Sequence, residues 1–381
     1  MSEHLLEAEV VAAHNREAVL TAEEITHTIN TVERDREGGV SRYWFDNMDV
    51  DTNTDNERVY LGLLNHLVNI YKSSTRAKSD RTNTGTYSDF GPQCVYDLRK
   101  GFPLLTTKYM RFKAIWIELI WFLRGHTNIS FLHKYGVKIW DEWADENGNL
   151  GPVYGSMWRD WRGEVDQVAN VINLLIKDPD SRRMIVTGWD PYLLPNTEKS
   201  FSENISEGKQ ALPPCHTMWQ VYTSIIPVEI VKRSLREFGV SKEQLPNDIV
   251  DELVYEMARY RGVPTRYLDL KLYQRSGDVF LGVPYNIASY SALMLILCSI
   301  TGYVPRYFIH TFGDVHLYSN HVDQAVLQLS RTPKPAPTLE VVSEDIYRRS
   351  KPLADFLSDP ETSMVLVNYD HHPAIAAPVA V

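Results

Sequence analysis

Ala211-Leu212-Pro213-Pro214-Cys215-His216-Thr217-Met218-Trp219-Gln220-Val221-Tyr222 places a lone cysteine after two prolines, at the mouth of an apolar run that reads as a strand. Proline fixes backbone angles and removes amide donors, so Pro213 and Pro214 present Cys215 rigidly. A thiolate held in that way can add to an electron-poor carbon. A free cysteine alone is more often a small buried hydrophobe. The remainder of the chain therefore decides its meaning.

The chain has 381 residues, 44% hydrophobic and 23% charged, enough for one large domain or two ordinary ones. Its three cysteines, Cys94, Cys215 and Cys298, are widely spaced and odd in number, which argues against a disulfide framework and fits a reducing setting. No Cys/His cluster has zinc spacing, so no metal site is expected. Of the net charge of −10, residues 1–58 carry −9, from fourteen acidic residues against five arginines and no lysine. Neither part has the basic face of a general nucleic-acid binder. The N-terminus lacks a signal-peptide pattern, and the apolar run at Ala292–Ile300 is too short to span a bilayer. The expectation is a soluble, cytoplasmic protein, in the host cytoplasm if viral.

Residues 1–57 are acidic and polar and read as a loosely ordered extension, followed by a compact part over 58–381. A helix is expected from Asn56 or Glu57 to about Tyr71. Phe112–Arg124 is apolar nearly all round and reads as a buried helix, which makes Glu118 in its middle anomalous. Val165–Lys177 is amphipathic, and Ser289–Ile300 reads as a second buried helix. Strands are expected at Met184–Trp189, Thr217–Tyr222 and Tyr267–Tyr273. Between the last two lies a helical insertion at about 227–266, with an apolar stripe at Ile249, Val250, Leu253, Val254, Met257 and Ala258.

Polar residues concentrate where a purely structural core has no use for them. Arg275 and Ser276 end a strand, and with Arg182 and Arg183 they suit a phosphate. Arginines near Cys215 would also favour its thiolate. An arginine pair alone is more often a solvated surface feature. Asn286 opens a buried helix and could read the O4/N3–H edge of uracil, although a helix cap explains it equally well locally. His316 and Tyr318 share one face of an extended segment.

Longer motifs run in order through the chain. They are Arg81-Thr82-Asn83-Thr84-Gly85-Thr86, Phe102-Pro103-Leu104-Leu105-Thr106-Thr107-Lys108 and Ile139-Trp140-Asp141-Glu142-Trp143. Gly151-Pro152-Val153-Tyr154-Gly155 and Asp178-Pro179-Asp180-Ser181-Arg182-Arg183 follow, then the Leu-Pro-Pro-Cys-His run. Tyr273-Gln274-Arg275-Ser276-Gly277-Asp278, Asn286-Ile287-Ala288-Ser289-Tyr290 and His316-Leu317-Tyr318-Ser319-Asn320-His321 lead to the terminal Ala377-Pro378-Val379-Ala380-Val381. Over residues 58–222 and 267–381 the chain resembles the thymidylate synthase family. That resemblance implies an α/β fold of α+β type, a mixed β-sheet flanked by helices, with the sheets of two subunits packed together in a homodimer.

The same resemblance implies residue roles. Cys215 adds to C6 of dUMP, and 5,10-methylenetetrahydrofolate is the cosubstrate, giving dTMP and dihydrofolate. Arg81, Arg275 and Ser276 match phosphate ligands of one subunit, with Arg182 and Arg183 reaching the partner's site. Asn286 matches the uracil reader, and His316 with Tyr318 the ligands of the deoxyribose hydroxyl. Glu118 matches an acid–base residue acting through water, and Tyr154 the residue linked to loss of the C5 proton. Asp278 belongs to both the catalytic and the folate sets. Lys108, Ile139, Trp140, Trp143, Leu281, Gly282 and Tyr285 match the reduced-folate pocket, and the Val381 carboxylate the closing tail. His216 follows the nucleophile on a strand, so it should face away and not serve as its base.

Three departures stand out: the extension and insertion, Tyr285 where the family usually has Phe, and the large Met218 and Trp219 beyond the nucleophile. The nearest alternative is a dUMP hydroxymethylase, in which water instead of hydride captures the exocyclic methylene and tetrahydrofolate is released. Tyr285 could hold that water, whereas Trp140, Leu212 and the C-terminal tail match the methylating enzyme. A dCMP-specific enzyme is disfavoured because residue 286 is Asn, not Asp. A third alternative is a non-catalytic nucleotide- or RNA-binding homologue.

Overall fold

The computed structural model describes residues 55–73, 77–80, 84–246, 248–342 and 351–379. Residues 1–54 of the acidic extension therefore lie outside the described residues. Its last three residues do not: helix α1 (Asp55–Ser73) begins with them, and Asn56 and Glu57 are buried. The Glu57 carboxylate accepts backbone N–H bonds from Thr106 at 2.9 Å and Thr107 at 2.8 Å, so the first turn is pinned before the apolar stripe begins.

Strands β1 (Thr86–Phe90) and β2 (Gln93–Asp97) follow, then helices α2 (Phe112–Leu123), α3 (Ser130–Lys134), α4 (Tyr154–Arg159) and α5 (Gln167–Lys177). Strand β3 (Ile185–Thr187), helix α6 (Phe201–Ser206) and strand β4 (His216–Ile225) lead into the insertion. Helices α7 (Val228–Glu237) and α8 (Asp251–Arg261) make up the insertion. Beyond it come β5 (Arg266–Asp278), α9 (Gly282–Thr301), β6 (Val304–Tyr318), α10 (Val322–Leu329), β7 (Thr338–Val341), α11 (Leu353–Ser358) and β8 (Met364–Val367).

Among the described residues the main sheet has six strands, ordered β1-β6-β5-β4-β3, with β2 also pairing β6. It is mixed: β5 and β6 run parallel, and the other pairs are antiparallel. Parallel neighbours need a long crossover, and α9 supplies it. The opening read at Asn286 and the buried run read from Ser289 are both parts of this one helix. It runs for 20 residues, long and apolar enough to cross a membrane, yet Val283–Cys298 apart from Tyr285 is buried in this core. It ends at Gly302, whose φ of +72° a side chain would resist.

Along β4 the alternation is regular. Thr217, Trp219, Val221 and Thr223 are buried, whereas Met218 and Tyr222 are exposed. Ile185, Val95 and Tyr273 add apolar surface to that outer face. The insertion forms around its own small core of Val231, Leu235, Val254, Ala258 and Val263. Of the apolar stripe expected there, Val254 and Ala258 are buried, but Val250 and Leu253 face solvent at 60% and 50%. The helix is short and leans on a single neighbouring helix, so only one edge of the stripe is covered.

Candidate active site

Cys215 stands immediately before β4, beside Arg275 of β5, and remains partly exposed. Arg275 holds the preceding loop: its Nε donates to Pro214 O at 2.9 Å and its Nη2 to Pro213 O at 3.0 Å. The same Nη2 lies 3.8 Å from Cys215 Sγ, and the backbone N–H of Arg275 donates to Cys215 O at 2.9 Å. The prolines and one guanidinium together fix the thiol. The Arg275 charge favours the thiolate, as expected, but it is not the larger effect. Burial pushes the thiol pKa up, and the Arg275 charge opposes that shift without overcoming it.

Tyr154, at the start of α4, closes the other side. Its hydroxyl oxygen accepts the backbone N–H of Cys215 at 2.8 Å and that of His216 at 3.4 Å. Burial holds the phenol well above its usual range, so it keeps its proton. The next residue, Gly155, is required by space: a Cβ there would sit 2.3 Å from His126 O. His216 is half-buried, its ring between those of Tyr154 and Tyr290 with centroids at 5.0 and 5.4 Å. Burial lowers its pKa to about 4, partly offset by a hydrogen bond to the Asn286 side chain. A neutral imidazole bonded to Asn286 orients that amide; nothing connects it to the thiol as a base. Asn286 is buried one turn into α9, so its amide is an internal polar group held in place from behind.

The parallel pairing of β5 with β6 sets Ser276 opposite Asp314 and Asp278 opposite His316. His316 Nδ1 is 2.9 Å from Asp314 Oδ1, and its ring packs edge-on to Tyr318 at 5.1 Å. Asp278 Oδ1 accepts the backbone N–H groups of Phe280 at 2.9 Å and Leu281 at 3.2 Å, tightening the turn into α9. Gly313 permits the strand approach here, since a Cβ would meet Arg275 O at 2.7 Å.

Glu118 is buried in α2, and its Oε1 accepts the indole N–H of Trp140 at 2.7 Å. Burial raises its pKa to about 7, with that hydrogen bond pulling the other way. Trp140 meets Trp143 edge-on at 5.9 Å, and Ile139 is exposed beside them. Tyr285 is partly buried, and burial raises its phenol to about 12. Its near neighbours are Arg111, whose backbone bonds the hydroxyl, Tyr109 and Glu118. Leu281 and Gly282 lie at the opening of α9 and are partly exposed. Lys108 is buried, its ammonium bonded to Phe280 O and 3.7 Å from that ring's centroid. Burial lowers its pKa to about 7, opposed by Asp278. Its amino group is thus tied to the Asp278–Leu281 turn.

Two expected residues, Arg81 and Val381, lie outside the described residues. The C-terminal segment before Val381 packs inward, with Pro378 O 2.7 Å from His321 Nε2 and the backbone N–H of His372 donating to Thr106 O at 2.7 Å. Arg182 and Arg183 are exposed and do not join this chain's own cluster. Gln220 reaches the Arg182 carbonyl at 3.2 Å, five residues along from Cys215, and each strand residue adds roughly 3.3 Å. These two arginines therefore lie far down the sheet from the thiol.

Sequence reading missed three supports. His216 was excluded as a base, but its bond to Asn286 was not foreseen. Gln274 bonds His310 at 2.8 Å and Ser276 O at 2.9 Å, bracing the strand end that carries Arg275. Asp314 braces His316. Each contact crosses strands or elements, so no local spacing announces it; only the density of polar residues around them was a signal.

A half-buried, arginine-gripped cysteine, an amide held by a neutral histidine and a desolvated glutamate under tryptophans make a site for covalent chemistry on a planar polar ring. The thymidylate synthase family model matches residues 59–381, which takes in every one of these groups. The chain belongs to the thymidylate synthase family.

Proposed function

We propose that this protein is a dimeric thymidylate synthase, converting dUMP and 5,10-methylenetetrahydrofolate to dTMP and dihydrofolate. Family membership supports one-carbon transfer from reduced folate to C5 of dUMP. The observation that carries the reading is Cys215 fixed by Arg275 beside a buried, braced Asn286.

In this reading Asn286 pairs with O4 and N3–H of uracil, leaving C6 against Cys215 Sγ. The sulfur adds to C6, and the displaced electron pair makes C5 nucleophilic. Because burial disfavours the free thiolate and the Arg275 charge favours it, Arg275 supports the sulfur as the thiol gives up its proton and adds to the ring. Ser276, Arg81 and the partner subunit's Arg182 and Arg183 complete the phosphate pocket, while His316 and Tyr318 take the sugar hydroxyl. The outer face of the sheet, with Met218, Tyr222, Tyr273, Val95 and Ile185 exposed, is the surface on which the two subunits pair.

The folate pocket fits on one observation: Glu118 is held in an apolar wall, able to exchange a proton near neutral pH, under the flat surfaces of Trp140 and Trp143. Ile139, Leu281, Gly282 and Tyr285 would line the rest. Bound folate supplies the one-carbon unit and then hydride. Glu118 relays protons through water to the uracil carbonyl, and Tyr154 orients the water that takes the C5 proton. Hydride finishes the reaction if water is kept from the methylene, and the inward-packed C-terminal segment supports that outcome. Purified protein with dUMP and methylenetetrahydrofolate should raise the dihydrofolate absorbance and yield a methylated nucleotide. A product heavier by one oxygen, with no dihydrofolate, would establish hydroxymethylation instead.

A further inference from the structure

Away from the thiol, one ion pair ties the end of the insertion to the loop that carries Arg182 and Arg183. Arg266 is the first residue of β5. Its guanidinium grips Asp180 with two bonds, Nη1 to Oδ1 at 2.7 Å and Nη2 to Oδ2 at 3.2 Å, and Nη1 also donates to Thr223 Oγ1 at 2.9 Å. Thr223 in turn donates to Pro179 O at 2.7 Å. The Arg266 side chain is 16% exposed while the Asp180 side chain is 74% exposed, so a largely buried cation is directed at a carboxylate that water already solvates well. The backbone of the segment has other anchors, from Thr223 to Pro179 and from Gln220 to Arg182. What the ion pair adds is control of the Asp180 carboxylate, two residues before the arginine pair.

That control matters chemically. A loose aspartate next to two arginines is an internal competitor for them, offering the same bidentate oxygens that a phosphate offers. Held by Arg266, Asp180 is turned away and neutralised.

We propose that Arg266 is a positioning residue for phosphate recognition, holding Asp180 so that Arg182 and Arg183 are presented to the dUMP phosphate in the partner subunit. The inference rests on the reading above, in which those arginines act across the dimer. It gives the insertion a role: the segment that ends at Arg266 sets the neighbouring site's grip on substrate.

Two variants remove the pair from opposite sides. Arg266→Gln takes away the clamp, and Asp180→Asn, at an exposed position, takes away the carboxylate without disturbing the buried stem. Arg266→Gln should raise KM for dUMP about fivefold, as expected for loss of one partly exposed bidentate pair, with kcat and the folate KM within about twofold of the parent. Asp180→Asn should do less than Arg266→Gln, because it removes the competitor together with the clamp, and the double variant should match Asp180→Asn. A merely structural role would instead lower kcat and the melting temperature and raise both KM values together.

The decisive form uses differently tagged mixed dimers. In one, Arg266→Gln and Cys215→Ser share a subunit opposite a parental one; the only working thiol then faces an altered arginine loop, and KM for dUMP should rise. In the other, Arg266→Gln sits on the subunit that keeps Cys215, and KM should remain parental. Arg182→Ala in the same two arrangements is the control. If Arg182→Ala raises KM only in the first arrangement and Arg266→Gln does not, the positioning role is overturned while the shared-site reading stands. If Arg182→Ala does not act across the dimer at all, the shared-site reading itself falls.

Discussion

Replacing Trp140 by Phe removes one hydrogen bond and keeps most of an aromatic wall. That bond, 2.7 Å from the indole nitrogen to Glu118 Oε1, is a direct support for the ionised carboxylate. Burial has already raised Glu118 to about 7, where the two protonation states are nearly balanced. A hydrogen bond to a charged group contributes about 1.5–3 kcal/mol, and one pKa unit corresponds to about 1.4 kcal/mol. Loss of the bond should therefore move Glu118 upward by about one to two units, leaving at most about a tenth of it ionised at neutral pH. The assay is kcat against pH under saturating dUMP and folate, which removes the effect of any weakened folate binding. The acid limb of the profile should shift to higher pH by about one to two units in Trp140→Phe. Glu118→Gln should lose that limb together with most of kcat. A folded Trp140→Phe enzyme whose acid limb stays where the parent has it would refute the assignment of Glu118 as the titrating group.

Asn286→Asp should shift preference from dUMP toward dCMP in competition assays, because a carboxyl offers the cytosine edge a different donor and acceptor pattern; unchanged selectivity would remove Asn286 from base reading. Gly155→Ala should cost about 1–3 kcal/mol in denaturant unfolding and lower kcat through Tyr154, since its Cβ would press on a backbone carbonyl that cannot yield. Glu118 also marks stability. Its folded pKa of about 7 lies above its ordinary 4.5, so its contribution is fully present below 4.5 and is lost as pH rises through about 7, on the order of 3 kcal/mol in all. Glu118→Gln should consequently melt higher than the parent above neutrality, and equal melting curves at pH 8 would contradict its burial as an ionised group.

The helices and strands that could be read early were those with an unbroken pattern. Phe112–Leu123 is apolar on every side, and β4 alternates residue by residue, so length and period alone located them. Helix α9 was legible in two pieces, its opening at Asn286 and the apolar run from Ser289, although its first turn, Gly282-Val283-Pro284-Tyr285-Asn286, carries turn-like and polar residues that propensity discounts. Packing against the interior strands β5 and β6 and a Gly302 C-cap outweigh that local cost. In the insertion the apolar stripe was read as helical, but Ile249 and Val250 precede the helix, and how much of the rest was covered depended on the neighbours. The nucleophile, the base reader and the buried glutamate were visible as polar residues in apolar surroundings. Electrostatic balance was not. Arg275 lies near the thiol as expected, yet whether its charge outweighs desolvation depends on depth, which no spacing encodes. The same limit hid the burial of Lys108 and the bond from His216 to Asn286.

The central claim is that the sulfur of Cys215 bonds to C6 of a deoxyuridylate on the way to product. The most direct test uses a dUMP analogue with fluorine at C5, which cannot lose the proton that normally leaves from that carbon, so the adduct should accumulate in the presence of methylenetetrahydrofolate. Intact-mass and peptide-mapping spectrometry should find the nucleotide bound to the peptide containing Cys215, and no adduct in Cys215→Ser. An adduct on a different residue, or turnover of dUMP by Cys215→Ser at the parental rate, would contradict the account.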